Sequence, residues 1–251
     1  MDEQPRLQSF ASPEQAANRA RLVELFEETP LPVEQLLVNL ALYMRSSVVA
    51  KVLYVDELYR EIVRRPGVIM EFGVWWGANL ALFESLRAIH EPYNHTRRTI
   101  GFDTFEGYSA PGEQDGDSEL VAEGSYSVPD AYVTHLDDVL DYHRRENPTG
   151  HLRKHDLRKG DAPQELERYL HEHPETIVAL AYFDMQLYEP TKRCLELLRP
   201  HLVRGSIVAM DELNSPDFPG ETVAYREAIG LDRYELVRSR FLPDRTYAIV
   251  G

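Results

Sequence analysis

The sequence predicts a doubly wound α/β fold: a mostly parallel sheet with helices on both faces, an antiparallel hairpin at the C-terminus and a helical cap at the N-terminus. Three observations carry this. From Gly67 onward, short apolar runs alternate with segments of helical period, the pattern of successive βα units. The stretch Val68-Ile-Met-Glu-Phe-Gly-Val-Trp-Trp-Gly-Ala-Asn79 reads as a buried strand, a glycine turn and a helix N-terminus, which is how such folds hold nucleotide-like ligands. Two final strand-like runs, 234–241 and 246–250, are separated only by Leu242-Pro243-Asp244-Arg245, so they pair as a hairpin.

In chain order, Ser12 N-caps a first helix, with Glu14 and Gln15 in its first turn and Leu22, Leu25 and Phe26 at helical spacing. Pro30 and Pro32 end it. A second helical region, one helix or two, covers 33–65 and stops before Pro66-Gly67. Residues 1–65 thus form a helical segment that covers a pocket or makes an oligomer contact, and residues 66–251 form the α/β domain. Strand one is 68–72 and its helix 78–89; strand two is 99–103. A polar segment follows, and within 106–130 it has the glycines of a lid over the strand ends; residues 106–123 hold six acids and no base. Then come a helix at 132–145, a weak strand at 152–157, a helix at 163–171, the most apolar strand at 177–183, a helix at 190–198, a strand at 206–210 and a helix at 222–229.

At 251 residues the chain is long enough for one domain with an appendage. Its 27 basic and 42 acidic residues give a net charge of −15, which repels phosphate backbones and argues against nucleic acid as a partner. A single cysteine, Cys194, excludes an internal disulfide and a cysteine-based zinc site. No apolar run approaches the ~18 residues of a membrane span, and the acidic-polar start does not read as a signal peptide. These features describe a cytoplasmic enzyme or binding protein.

In a doubly wound sheet, ligands sit at the carboxyl ends of the strands, and here acids crowd those ends: Glu71, Asp103, Asp156 with Asp161 beyond it, Asp184, Asp211 and Glu212. Trp75 stands where the second glycine of a dinucleotide turn would let a pyrophosphate approach. The turn from Glu71 through Gly73 and Trp75 to Gly77 therefore suits a nucleoside without phosphates, such as S-adenosylmethionine, with Glu71 placed to meet its ammonium group. The hairpin agrees: a dinucleotide dehydrogenase continues with parallel βα units, whereas a Rossmann-like class I methyltransferase closes its sheet with a reversed strand. Asp103 is placed to accept the ribose hydroxyls, or else caps a surface turn. Asp161 lies where a side chain meets the adenine edge, or is the N-cap of the next helix. Asp184, Asp211 and Glu212 are hard oxygen donors on neighbouring strand ends. They suit Mg²⁺, or Ca²⁺ or Mn²⁺; the alternative is acids that cap loops. The nine histidines are scattered, and His135, His143 and His155 are those placed to approach the rim. No serine-hydrolase elbow and no P-loop is present.

These residues resemble a known family. Glu71-Phe-Gly-Val-Trp-Trp-Gly77, Phe102-Asp-Thr-Phe-Glu-Gly107, Tyr182-Phe-Asp-Met-Gln-Leu-Tyr-Glu-Pro-Thr191 and Gly205-Ser-Ile-Val-Ala-Met-Asp-Glu-Leu213 are similar to the macrocin O-methyltransferases, metal-dependent S-adenosylmethionine enzymes that methylate sugar hydroxyls in antibiotic biosynthesis. The resemblance covers roughly 35–251. Within that family it points to enzymes acting on a nucleotide-linked deoxysugar, of the TDP-rhamnose kind, in an enediyne pathway. It implies that Glu71 and Gly73 hold the methionine moiety, Asp103 the ribose, Phe105 the adenine side, and Asp184, Asp211 and Glu212 the metal. Two departures stand out: Gln186 where the family often has a second Asp, and Glu212 where it often has Asp. A metal binding two sugar hydroxyls would lower the pKa of one, with His143 or His135 as the base that removes the proton. The rival readings are a catechol-type O-methyltransferase, for which Lys192 would be the metal-side lysine, a nicotinamide-dependent oxidoreductase, and a non-catalytic binding protein. A homo-oligomer built through the helical N-terminus is also expected.

Overall fold

The elements are α1 Pro13–Glu27, α2 Val33–Val38, α3 Ser46–Ile62, β1 Val68–Phe72, α4 Ala78–His90, β2 Thr99–Asp103, α5 Tyr132–Arg145, β3 His155–Lys159, α6 Ala162–Glu172, β4 Val178–Phe183, α7 Tyr188–Leu198, β5 Leu202–Met210, α8 Pro219–Ala228, β6 Glu235–Arg238 and β7 Thr246–Ile249. They come from a computed structural model, which describes residues 11–109, 111–116, 118 and 121–251. The strands form one sheet in the order β3-β2-β1-β4-β5-β7-β6. β1 to β5 run parallel, and β7 pairs antiparallel with both β5 and β6. The expected hairpin is therefore present, and β7 is inserted beside β5.

Side-chain alternation along the strands divides the core in two. Met70, Phe72, Val208 and Met210 face one side, where they meet Leu166, Leu195 and Tyr225 of α6, α7 and α8. Ile69, Ile207 and Ala209 face the other, where they meet Tyr54, Leu58 and Ile62 of α3 and Phe83 of α4. The second half of α3 is thus part of the domain core and not of a separate cap; the segment that stands off ends near residue 53. Arg97 fixes α3 to the start of β1: its fully buried guanidinium donates to the carbonyls of Ile62, Arg65 and Gly67 and pairs with Glu91.

Two expected boundaries shift. β3 begins later than the weak run at 152–157 suggested, so Asp156 lies inside the strand, paired with Arg158. The region 33–65 resolves into α2, a 3₁₀ turn at Leu40–Tyr43 and α3. Ser12 caps α1 through a capping box with Gln15, as expected. Among the described residues no helix is long and apolar enough to cross a membrane.

Candidate active site

The turn after β1 is a junction between strand ends. Gly73 has φ +88°, and a Cβ there would lie 2.2 Å from the Asp184 carbonyl oxygen. Only glycine lets the ends of β1 and β4 come this close. Gly77, at φ +75°, is the N-cap of α4 and packs on Leu136. Asp103, at the end of β2, ties the turn down. Its Oδ2 accepts from the N–H groups of Val74 at 2.6 Å and Trp75 at 2.8 Å, and its Oδ1 from Phe105 N–H at 2.6 Å. Trp75 is held at φ 49°, a conformation that costs a side-chain-bearing residue about 1 kcal/mol or more.

Glu71 alternates onto the α3/α4 face of the sheet and is 1% exposed. Asn79 donates to its Oε1 at 2.8 Å, while Oε2 has no partner. Burial pushes this carboxyl up to about 8.

Across the strand ends lies the acid rim. The Tyr182 hydroxyl donates to Asp211 Oδ1 at 2.5 Å. Arg245, from the hairpin, places Nε 2.5 Å from the same oxygen and Nη1 3.5 Å from Glu212 Oε1. Glu212 N–H donates to the buried Glu221 at 2.6 Å. Burial, and then the charge of Asp211, hold Asp184 well above the usual carboxylate range. Burial pushes Glu212 up to about 7.

A cavity of about 610 Å³ joins the two sides, a volume in the range of small-molecule sites. Gly73, Trp75, Asp103, Asp161, Asp184, Asp211 and Glu212, all named from the sequence, line it together. The segment expected to be a lid supplies Tyr108 and Tyr126, and Asp115 pins it by accepting from Tyr188 N–H at 2.6 Å. The other expected site residues are placed as follows. Phe105 is 3% exposed and packs with Val74, Leu136 and Leu140 in a small core behind the turn, not in the cavity wall. Gly77 and Glu71 are not lining residues themselves; Glu71 is buried near the end of β1, two residues before the lining residue Gly73, with its Oε2 unpartnered. Asp161 both lines the cavity and caps α6, accepting from Gln164 N–H at 3.3 Å. No histidine lines the cavity. α5 turns Leu136 and Leu140 inward, which leaves His143 against Ser85 of α4 and His135 tilted against Tyr132. His155 is buried beside Asp137.

Several lining residues carry no local sequence signal. Arg45, Ser47, Val48 and Lys51 reach the cavity from α3 and its N-cap, and Arg245 from the hairpin. Gln186 is the exception: it replaces an expected acid, and in the structure it lines the cavity with φ 63°, 7% exposure and an unpartnered Oε1. Lys192 does not line the cavity and is paired with Glu227 at 2.7 Å; the lysine that lines it is Lys51 of α3. Among the described residues no three acidic, histidine or cysteine side chains come together as a metal-binding group. The three rim acids share the cavity, but Asp211 is turned to Arg245 and Tyr182.

The sheet order with a reversed β7, the glycine turn after β1 and the acid closing β2 define a class I S-adenosylmethionine-dependent methyltransferase. A solved structure of the calicheamicin methyltransferase CalS11 is 42% identical, superposes with a TM-score of 0.94, and is covered over 98% of its length by 100% of this chain. A second, ligand-free structure, described as CalS11, TDP-rhamnose 3′-O-methyltransferase, is also 42% identical, with a TM-score of 0.85 and 97% of each chain covered. The chain belongs to the CalS11 family of O-methyltransferases. The O-methyltransferase NovP, at 20% identity and a TM-score of 0.54 over 81% of this chain and 80% of its own, shares the fold. No protein-family model and no curated protein matches the sequence.

Proposed function

We propose that the protein transfers the methyl group of S-adenosylmethionine to a hydroxyl of a nucleotide-linked deoxysugar of the TDP-rhamnose kind, in antibiotic biosynthesis. The observation that carries this is full-length 42% identity to an enzyme described as acting on TDP-rhamnose, combined with a cavity whose two walls suit donor and acceptor. In this reading the unpartnered Oε2 of Glu71 meets the cofactor ammonium. Asp103 Oδ1 keeps one lone pair for a ribose hydroxyl, and Trp75 and Asp161 flank the adenosine. Arg45 and Lys51 line the cavity, Lys51 within electrostatic reach of Asp184 and Glu71, and both are placed to receive the diphosphate. Gln186 Oε1 is an acceptor for a sugar hydroxyl.

Methyl transfer forms the O–CH₃ bond as the S–CH₃ bond breaks, with the electron pair staying on sulfur. The hydroxyl proton leaves to a carboxylate of the rim, since no histidine is in reach. Asp184, Asp211 and Glu212 fit a divalent cation such as Mg²⁺ in donor chemistry, with Arg245 as the counter-charge such an ion replaces. Such an ion would acidify the bound hydroxyl. Self-association and a cytoplasmic setting belong to the same reading.

The test is transfer of labelled methyl to a panel of nucleotide sugars, with and without Mg²⁺, beside thermal melts. S-adenosylmethionine should raise the Tm and NAD should not, and a TDP-deoxysugar should be the best acceptor. Transfer to free catechols alone would overturn the acceptor assignment, and activity unaffected by chelation would overturn the ion.

A further inference from the structure

Three aromatic rings cross the cavity from one wall to the other. Trp75 stands on the glycine turn, Tyr126 meets it edge to face with ring centres 5.5 Å apart, and Tyr108 lies 5.1 Å beyond Tyr126. Tyr108 in turn packs against Leu187 and Phe218, which line the cavity on the side of the acid rim. The middle ring is held under strain. Tyr126 has φ 66°, in the left-handed region that a bulky residue adopts only where its surroundings impose it. The backbone on both sides supplies that constraint. The Ser125 carbonyl accepts from Tyr108 N–H at 3.0 Å, Gly124 N–H donates to the Tyr108 carbonyl at 2.9 Å, and Val128 N–H donates to the Phe105 carbonyl at 3.2 Å. Tyr126 is thus clamped between residues tied to the stem that leaves β2, and this fixed backbone aims its side chain into the cavity.

The ring also reaches the place where the two walls abut, the close approach of Gly73 to Asp184. Burial, and then the charges of Asp184 and Glu212, raise the Tyr126 phenol above its ordinary range, so the ring that touches Trp75 is within electrostatic reach of the rim. With the methionine moiety anchored at Glu71 and Gly73 and the ribose at Asp103, the sulfur that joins them lies between those anchors, its methyl toward the rim. A sulfonium is a cation with no N–H to donate, so no acceptor can hold it by a conventional hydrogen bond. The negative face of an aromatic ring recognises such a charge, as it does a quaternary ammonium. We propose that Tyr126 is the residue that recognises the sulfonium, its ring covering the Gly73–Asp184 junction and favouring the charged methyl donor over the neutral thioether left after transfer. Exchange of spent cofactor for fresh is thereby given a direction. This role rests on the proposed S-adenosylmethionine reading and adds to it the group that tells donor from product.

The experiment measures calorimetric Kd values of the full chain for S-adenosylmethionine and for S-adenosylhomocysteine, in the wild type, Tyr126→Phe and Tyr126→Leu. Tyr126→Leu should weaken S-adenosylmethionine binding about three- to thirtyfold and leave S-adenosylhomocysteine within twofold of wild type. Tyr126→Phe, which keeps the ring, should keep the wild-type ratio of the two constants. A merely structural role would move both ligands together. Equal losses for the two ligands in Tyr126→Leu, or loss of the ratio in Tyr126→Phe, overturn the inference and leave the cofactor reading standing. A wild type that binds neither ligand overturns the cofactor reading and the inference with it. Should Tyr126→Leu misfold, phenylalanines of increasing ring fluorination at position 126 keep the shape while draining negative charge from the ring face. Affinity for S-adenosylmethionine should then fall stepwise along the series while that for S-adenosylhomocysteine stays level, and a flat series overturns the inference.

Discussion

Asp103 and Asp211 each stand at the end of a strand and line the same cavity, yet their surroundings differ in kind. Asp103 is satisfied by three main-chain N–H groups between 2.6 and 2.8 Å. Those donors are fixed by the turn that the carboxylate itself organises. Asp211 relies on side chains: the Tyr182 hydroxyl and the Arg245 guanidinium, both on Oδ1. Around it, Asp184 and Glu212 are raised by burial above the usual carboxylate range. One wall is therefore complete before a ligand arrives, while the other holds more buried acid than Arg245 compensates. Fixed dipoles suit a cofactor bound in the same pose every cycle. A side-chain counter-ion leaves the acceptor wall a charge that an added cation can take over.

This contrast can be broken experimentally. The largest effect should come from Asp211→Asn: methyl transfer should drop by about 10²–10³ or more, with calorimetric affinity for S-adenosylmethionine within twofold of wild type. Equal loss of cofactor affinity would show that the two walls are not separable. Next, Asp103→Ala strips the acceptor from three backbone donors and should destabilise the protein by about 2–4 kcal/mol in urea titrations, with cofactor binding weakened at least tenfold. A variant as stable as wild type would mean that the turn holds without its carboxylate.

The smallest effect sharpens the picture at Glu71. Burial holds its folded-state carboxyl at about 8 against an ordinary 4.5. Below that ordinary value both folded and unfolded chains carry the proton, and this contribution to stability is complete. As pH rises toward 8 the unfolded chain has lost the proton and the folded chain still holds it, so stability of the cofactor-free protein falls. Melting curves of wild type and Glu71→Gln between pH 5 and pH 8 should differ in slope, the variant losing fewer degrees, on the order of 5 °C. Parallel slopes would show that Glu71 is already ionised.

How far the sequence reached follows from which interactions are local. Strand ends, the glycine turn and the terminal hairpin depend on period and on neighbouring residues, so the sheet and seven of the lining acids and turn residues were legible: Gly73, Trp75, Asp103, Asp161, Asp184, Asp211 and Glu212. The same logic misplaced Phe105, His135 and His143, because proximity in sequence to a strand end does not decide which side of a loop or helix faces the cavity. α5 buries Leu136 and Leu140, and that choice carries both histidines away. The close of the cavity was decided only in three dimensions. Lys51 reaches it because half of α3 is drawn into the core by Tyr54, Leu58 and Ile62, and Arg245 because β7 inserts beside β5. By itself the sequence determined where carboxylates end strands, since that is written in local pattern. The tertiary structure decided how each carboxylate is neutralised, since a counter-charge or a hydrogen-bond donor comes from whichever distant segment the packing brings within reach.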